Sequence, residues 1–289
     1  MDIIATKRIF IAGDTWLYYK IYCGERSSDL ILTKTIRPLV AKLIENRYIS
    51  HWFFIRYQDP DFHIRIRFHL TDVLHIGSVI LHINKALQSY VQDDIIYKVQ
   101  LDTYIREIER YGAATIAFSE KLFSKESDML LQAIEIIKDD TLFFLFVIKA
   151  IDTILTNFKY SLKEKVQLTS LNRDRFKEEF LADKKLTKQL DKKYRTIQHE
   201  LYSFFSTTDQ NEDYLILYQL LHQYTTKTEE EVSSIINCLT NDKELQKGSL
   251  ISSYIHMLVN RAFRSKQRFY ELVCYDFLTK YYKSSLFSN

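Results

Sequence analysis

The spacing of hydrophobic positions changes about a third of the way along the chain and predicts two kinds of structure. Trp16–Cys23 is an aromatic and apolar run closed by Gly24, and it reads as a strand. Over Ser27–Asn46, residues Leu30, Leu32, Ile36, Leu39, Val40, Leu43 and Ile44 fall mostly at helical spacing behind a Ser28 or Asp29 N-cap. Trp52–Tyr57 and Phe62–Leu70 predict two strands joined by Gln58-Asp59-Pro60-Asp61, where proline pre-sets the turn. Thr71–Val91 is helical behind Thr71 or Asp72. Ile95–Ile105 then alternates, with Tyr97, Val99, Leu101, Thr103 and Ile105 on one face. The order β-α-β-β-α-β predicts a ferredoxin-like sheet with its helices on one side.

From about Ala114 the pattern is helical throughout, with 3–4 spacing near 126–139, 141–161, 172–206, 212–225, 229–239, 249–264 and 266–283. The stretch 160–200 is rich in Lys and Glu and predicts a solvated helical pair. No Gly-, Pro- or Ser-rich linker and no internal repeat interrupts the chain. The expectation is an α+β protein forming a single domain, 1–289. Its ferredoxin-like sheet part, 1–113, would pack against a mainly helical part, 114–289.

Composition narrows this reading. Five Gly and two Pro in 289 residues argue against a sandwich or barrel, which needs many tight turns. Twenty Tyr and nineteen Phe predict a core built largely on aromatic packing. The net charge of +3 is spread among acidic residues, which argues against a nucleic-acid binder. Cys23, Cys238 and Cys274 have neither metal spacing nor a disulfide framework, so a reducing cytoplasm is expected. The N-terminus lacks the order of a signal peptide, and no apolar run is long enough for a membrane span, so a soluble protein is expected. No metal and no cofactor is suggested: the histidines lack ligand spacing, and there is no phosphate-cradling glycine loop or nucleophile elbow.

Three clusters could carry chemistry. Strict alternation in His63-Ile64-Arg65-Ile66-Arg67-Phe68-His69 puts Ile64, Ile66 and Phe68 on one face and His63, Arg65, Arg67 and His69 on the other. Like charges on neighbouring same-face positions repel, so an anion or acidic side chains should face them. Arginine suits a carboxylate, because its fork makes two parallel charge-assisted hydrogen bonds. The plainer alternative is a solvent-facing sheet surface. In Tyr104-Ile105-Arg106-Glu107-Ile108-Glu109-Arg110-Tyr111-Gly112, a helical turn would align Arg106 and Arg110, with Glu107 and Glu109 as partners in a surface ion-pair ladder. On the predicted helix around 249–264, His256 and Asn260 flank the core stripe four residues apart, where the amide could set the imidazole tautomer. A satisfied boundary histidine is the competing reading.

Taken together and in this order, the clusters resemble a known family. Trp52-Phe53-Phe54-Ile55-Arg56-Tyr57-x-Asp59-Pro60-x-x-His63-Ile64-Arg65-Ile66-Arg67-Phe68 resembles the opening signature of the C-terminal elimination domain of class I lanthipeptide dehydratases. That domain also occurs as a separate protein, the thiopeptide-type bacteriocin biosynthesis protein. Tyr104-x-Arg106-Glu107-x-Glu109-Arg110-Tyr111-Gly112 is similar to its middle motif, and His256-Met257-x-x-Asn260-Arg261 to its last. Trp16–Tyr22 looks like its first strand. The likeness runs from about residue 14 to 283, with Ala113 standing where a second glycine is expected.

The resemblance implies a lyase that removes glutamate from glutamylated Ser or Thr of a ribosomal precursor peptide, leaving dehydroalanine or dehydrobutyrine. Chemically, Cα–H cleavage needs a base, and the departing glutamate needs its charge held. It implies catalytic roles for His256, Arg67 and Arg110, and substrate binding by Arg56, His63, Arg65, Arg106, Asn260 and Arg261. The full-length dehydratase carries a far larger N-terminal glutamylation domain. The expected partners are therefore a leader-bearing precursor peptide and a separate glutamyl-tRNA-dependent glutamylation protein, with no direct nucleic-acid contact. Full-length members tend to dimerise, which leaves a homodimer open. Two rivals share the fold or its cations: a thiopeptide pyridine synthase, joining two dehydroalanines by a formal [4+2] cycloaddition before expelling the leader, and a non-catalytic subunit that holds the precursor.

Overall fold

A computed structural model describes residues 6–206, 214–241 and 245–287. The strands are β1 (Ile9–Phe10), β2 (Trp16–Cys23), β3 (Ile49–Gln58), β4 (Phe62–Leu70), β5 (Ile96–Asp102) and β6 (Tyr104–Ile105). The helices are α1 (Glu25–Leu30), α2 (Arg37–Glu45), α3 (Ile76–Gln92), α4 (Ile108–Tyr111), α5 (Ile116–Ile136), α6 (Asp140–Asn157), α7 (Leu162–Glu179), α8 (Lys184–Ser206), α9 (Leu215–Asn241), α10 (Lys247–Ala262) and α11 (Gln267–Phe287). The chain is α+β and mainly helical. Its contacts divide it into two compact units, Met1–Glu135 with Glu230–Gln246, and Ile136–Glu229 with Lys247–Asn289.

In the first unit the four longer strands make one antiparallel sheet in the order β3-β4-β2-β5, and β1 pairs with β6. The register sorts side chains by face. Trp52, Phe68 and Leu17 form one row, and Phe54, Ile66 and Tyr19 the next; both rows pack on Leu39, Leu43, Val79, Ile83 and Leu87 from α2 and α3. On the opposite face the rows are His51-His69-Trp16, Phe53-Arg67-Tyr18-Asp102, Ile55-Arg65-Lys20 and Tyr57-His63-Tyr22.

Local chemistry explains where the elements depart from the sequence pattern. The helix expected over Ser27–Asn46 widens into a π-helical turn at Ile31–Ile36, so that the N–H of Arg37 reaches the carbonyl of Leu32. Pro38, just inside α2, has no N–H to continue the ordinary ladder. The strand expected over Ile95–Ile105 breaks after Asp102, and its last two residues turn away to pair with β1. One extra residue, Ser50, bulges β3 between Ile49 and His51. The sheet part read as 1–113 also gains α5. The backbone N–H groups of Trp52 and Phe54 on the outer edge of β3 donate to Ser124 Oγ (3.2 Å) and Ser127 Oγ (3.4 Å) of that helix.

The second unit is helical. Its core gathers Phe146, Ile151, Tyr254, Ile255, Leu258, Tyr275 and Phe277. The Asp152 carboxylate is held by Lys165 (2.6 Å), Tyr282 (2.8 Å) and Lys149 (3.1 Å). The helix expected over 172–206 is instead interrupted between α7 and α8. Leu181 takes a left-handed conformation (φ 47°), and Asp183 caps the next helix by accepting the N–H of Leu186 at 2.7 Å. The segments expected at 212–225 and 229–239 form one continuous helix, α9; positions 212 and 213 lie outside the described residues. Among the described residues, no helix is long and apolar enough to cross a membrane.

Candidate functional site

The face of the sheet turned away from the helical core carries the cations of the hairpin, and each has a different environment. His63, fully buried, lies against the rings of Tyr22 and Tyr57. Its Nδ1–H donates to the carbonyl of Asp61 (2.9 Å), which leaves Nε2 to accept Arg65 Nε–H at 3.0 Å. Burial, then the neighbouring Arg65 and Lys20, hold the His63 pKa below its ordinary value, so the imidazole is neutral and serves as an acceptor. The guanidinium carbon of Arg65 also lies over Tyr57, 3.4 Å from the ring centre.

Arg67 sits deeper, at 8% exposure, boxed by the rings of Tyr18 (4.5 Å), Tyr104 (4.8 Å) and Phe53 (5.1 Å). No acidic side chain among the described residues pairs with it, and its Nε and Nη1 are enclosed without a hydrogen-bond partner. A buried cation held by aromatic faces alone lacks the directional acceptors that normally accompany a guanidinium. The row above it holds His51 and His69, stacked at 4.5 Å, with Ser50 Oγ 2.8 Å from the Nδ1 of each. The bulge at Ser50 turns that hydroxyl between the rings. Burial pushes the His51 pKa down to about 3 and lowers that of His69, so both are neutral.

The remaining first-unit candidates are placed differently from the sequence reading. Arg56 lies on the opposite, core face, in register with Ile64, and is fully buried. Its guanidinium ties Ser28 Oγ and the Asp29 carboxylate, so it joins strand to helix. Arg106 is likewise occupied. Its Nε and Nη2 grip both oxygens of the buried Glu120 carboxylate (2.7 and 2.6 Å), and Nη1 donates to the carbonyl of Lys7 (3.1 Å). The same Glu120 accepts the hydroxyl of Tyr104 at 2.7 Å and so fixes one wall of the Arg67 box. Burial raises the Tyr104 pKa well above its ordinary value, which keeps that hydroxyl protonated. Arg110 is exposed on α4 and lies 3.1 Å from Glu107. Beyond it, Gly112 has φ 75°, a conformation that other residues rarely adopt, and a Cβ there would meet Leu245 Cδ2 at 2.8 Å.

In the second unit His256 projects from α10, and its Nδ1 lies 2.9 Å from Oε2 of Glu271 on α11. The carboxylate is buried and can only accept, so it orients Nδ1–H toward itself and turns Nε2 of the partly exposed ring the other way. The sequence reading looked to Asn260 for this orientation and missed Glu271, which is fifteen residues away and on another helix. Asn260 is partly buried on α10, and Arg261 is fully buried. Arg268 approaches Glu271 at 3.5 Å and binds Glu179.

Comparison with known proteins follows this geometry. Residues 16–282 match the sequence profile of the family described as Lantibiotic biosynthesis dehydratase C-term. The chain is 26% identical over 261 residues to the subtilin biosynthesis protein SpaB of Bacillus subtilis, across 89% of this chain and 24% of SpaB. It therefore spans about a quarter of that relative's length. Its fold is similar to the tRNA-dependent lantibiotic dehydratase MibB from Microbispora sp. 107891, with TM-score 0.73, 20% identity, and coverage of 93% of this chain and 28% of MibB. It is also similar to TbtD, a pyridine synthase from thiomuracin biosynthesis, with TM-score 0.65, 15% identity, and coverage of 94% of this chain and all of TbtD.

Proposed function

The chain belongs to the lantibiotic biosynthesis dehydratase C-terminal family, and on that premise we propose that it carries out the elimination half of peptide dehydration. The substrate is a precursor peptide whose Ser or Thr bears a glutamyl ester, supplied by a separate glutamyl-tRNA-dependent protein. The observation that carries this reading is Arg67, a boxed guanidinium with no acidic partner among the described residues.

The chemistry assigns two roles. His256, with Glu271 holding the proton on Nδ1, takes the Cα proton at Nε2. As the Cβ–O bond breaks, the electron pair leaves with the glutamate, and Arg67 stabilises the carboxylate that carries the charge. Arg65, oriented by His63, and the exposed Arg110 are secondary contacts for the substrate's acidic groups. Asn260 and Arg261, on the same helix as His256, are further candidate contacts for the substrate. The strand order β3-β4-β2-β5 supports a ferredoxin-like reading of the sheet.

The test is a synthetic peptide bearing glutamyl-serine, incubated with the purified protein without tRNA and weighed. Loss of glutamate with formation of dehydroalanine is expected. His256→Ala should leave the glutamylated peptide to accumulate. An unchanged peptide that demonstrably binds would overturn the assignment. A cyclised product from a bis-dehydroalanine peptide would favour a pyridine synthase, whose cycloaddition offers Arg67 no glutamate.

A further inference from the structure

Two tyrosines wall the Arg67 guanidinium, and their hydroxyls are engaged differently. That of Tyr104 donates to the buried Glu120 carboxylate at 2.7 Å. That of Tyr18 has no hydrogen-bond partner among the described residues, although the residue is only 5% exposed. A buried phenol normally finds a partner for its O–H, and leaving the group unmatched is costly unless something outside the chain completes it.

The strand register shows what surrounds that side chain. Tyr18 lies directly opposite Arg67 on β4 and Asp102 on β5, on the sheet face turned away from the helical core. The Arg67 guanidinium carbon is 4.5 Å from its ring centre, and Lys20 Nζ is 5.9 Å from it. Asp102, the acid beside Tyr18 in the sheet, is engaged elsewhere: it pairs with Lys20 and accepts the N–H of Thr103 at 2.7 Å. Arg67 Nε and Nη1 are enclosed, whereas Nη2 and the Tyr18 hydroxyl are not. Two donors, one charged and one neutral, therefore open from one face of the sheet, and neither has an acceptor among the described residues.

We propose that the Tyr18 hydroxyl is a second donor to the departing glutamate, bonding the same carboxylate as Arg67. This role deepens the elimination reading and rests on it. The base takes the Cα proton, the Cα–Cβ double bond forms, and the Cβ–O bond breaks with its electron pair left on the ester oxygen. That oxygen carries little charge in the ester and shares a full negative charge in the leaving carboxylate. Arg67 meets the charge. Tyr18 adds a directional hydrogen bond that strengthens as the charge grows, with no proton transferred. Burial raises the Tyr18 pKa against the opposing pull of Arg67, Arg65 and Lys20, so the hydroxyl keeps its proton at neutral pH. A neutral donor suits this place, because another cation beside those three would add repulsion.

The test is elimination from the glutamyl-serine peptide by wild type and Tyr18→Phe. Phenylalanine keeps the ring that walls Arg67 and removes the hydroxyl alone. The kcat should fall about 10- to 100-fold, the loss of one hydrogen bond to a charged group, with KM nearly unchanged. Placing 3,5-difluorotyrosine at position 18 makes the hydroxyl more acidic. It should retain turnover while protonated and bring the alkaline fall in kcat to lower pH. If Tyr18→Phe failed to fold, the fluorinated chain alone would decide. Full turnover in folded Tyr18→Phe would overturn the role of Tyr18 and leave the elimination reading intact, as would an alkaline limb unmoved by the fluorinated side chain. A wild-type chain that binds the peptide and eliminates nothing would overturn the reading itself, and this role with it.

Discussion

Arg56 and Arg67 lie on neighbouring strands of one hairpin, buried to a similar degree, but on opposite faces of the sheet. Arg56 faces the helical core and is matched by Ser28 and Asp29. Arg67 faces the other way, against the rings of Tyr18, Phe53 and Tyr104, and no acidic side chain among the described residues pairs with it. A buried charge that is paired belongs to the architecture, since removing it strands its partner. A buried charge without an acidic partner is a candidate for binding a ligand that brings one. Burial alone does not separate these cases. The identity of what surrounds each guanidinium does.

Replacing each by methionine should pull stability and activity apart. The largest effect is expected for Arg67→Met: glutamate release should fall about 100- to 1,000-fold, the scale of losing one stabilising donor at a developing charge. Its melting temperature should be unchanged or higher, because an apolar chain suits the aromatic box. Arg56→Met should do the reverse. It leaves Asp29 without its buried partner, and chemical denaturation should show a loss of about 3 kcal/mol, while the folded fraction keeps its turnover. If both variants lost stability equally, the distinction between the two faces would fail.

Smaller effects sharpen the contrast. Glu271→Gln should lower kcat about tenfold with little change in KM and shift its pH profile, because the imidazole loses the carboxylate that orients it. Acid should separate the faces too. His51, His63 and His69 all lie on the Arg67 face with pKa values pushed below 6.5. Below that value the unfolded chain binds more protons than the folded one, so stability falls as pH drops. The loss is at most about 1.4 kcal/mol per pH unit for each imidazole that stays neutral. For His51, held at about 3, it continues across the whole range down to that value. Melting temperatures followed from neutral pH downward should decline, and His51→Gln should flatten the curve. A flat wild-type curve would contradict the neutral pairing through Ser50.

Much of the sheet was legible from alternation, because period two follows from the backbone alone. β2 and β4 run over the expected residues, and the hairpin presents His63, Arg65 and Arg67 on one face. What was not legible depends on long-range packing. Arg56 carries the same charge as its neighbours, and only its register opposite Ile64 reveals the core face. Arg106 looked available until Glu120, fourteen residues on, closed around its fork. Tyr18, Phe53 and Tyr104 become one box only once the strand order is known, and Glu271 reaches His256 from the next helix with no spacing rule to announce it. The alternation of β5 was visible in sequence, but not the irregularity opposite Tyr22 and Cys23 that puts Ile96, rather than Tyr97, on the core face with Val99 and Leu101.

The most direct test of Arg67 as the carboxylate holder is titration of the folded protein with free glutamate, following the Arg67 Nε signal by nitrogen-15 NMR. Binding should shift that resonance, leave Arg56 Nε unmoved, and vanish in Arg67→Met. Saturable glutamate binding that leaves Arg67 Nε unmoved, or that persists undiminished in Arg67→Met, would contradict it.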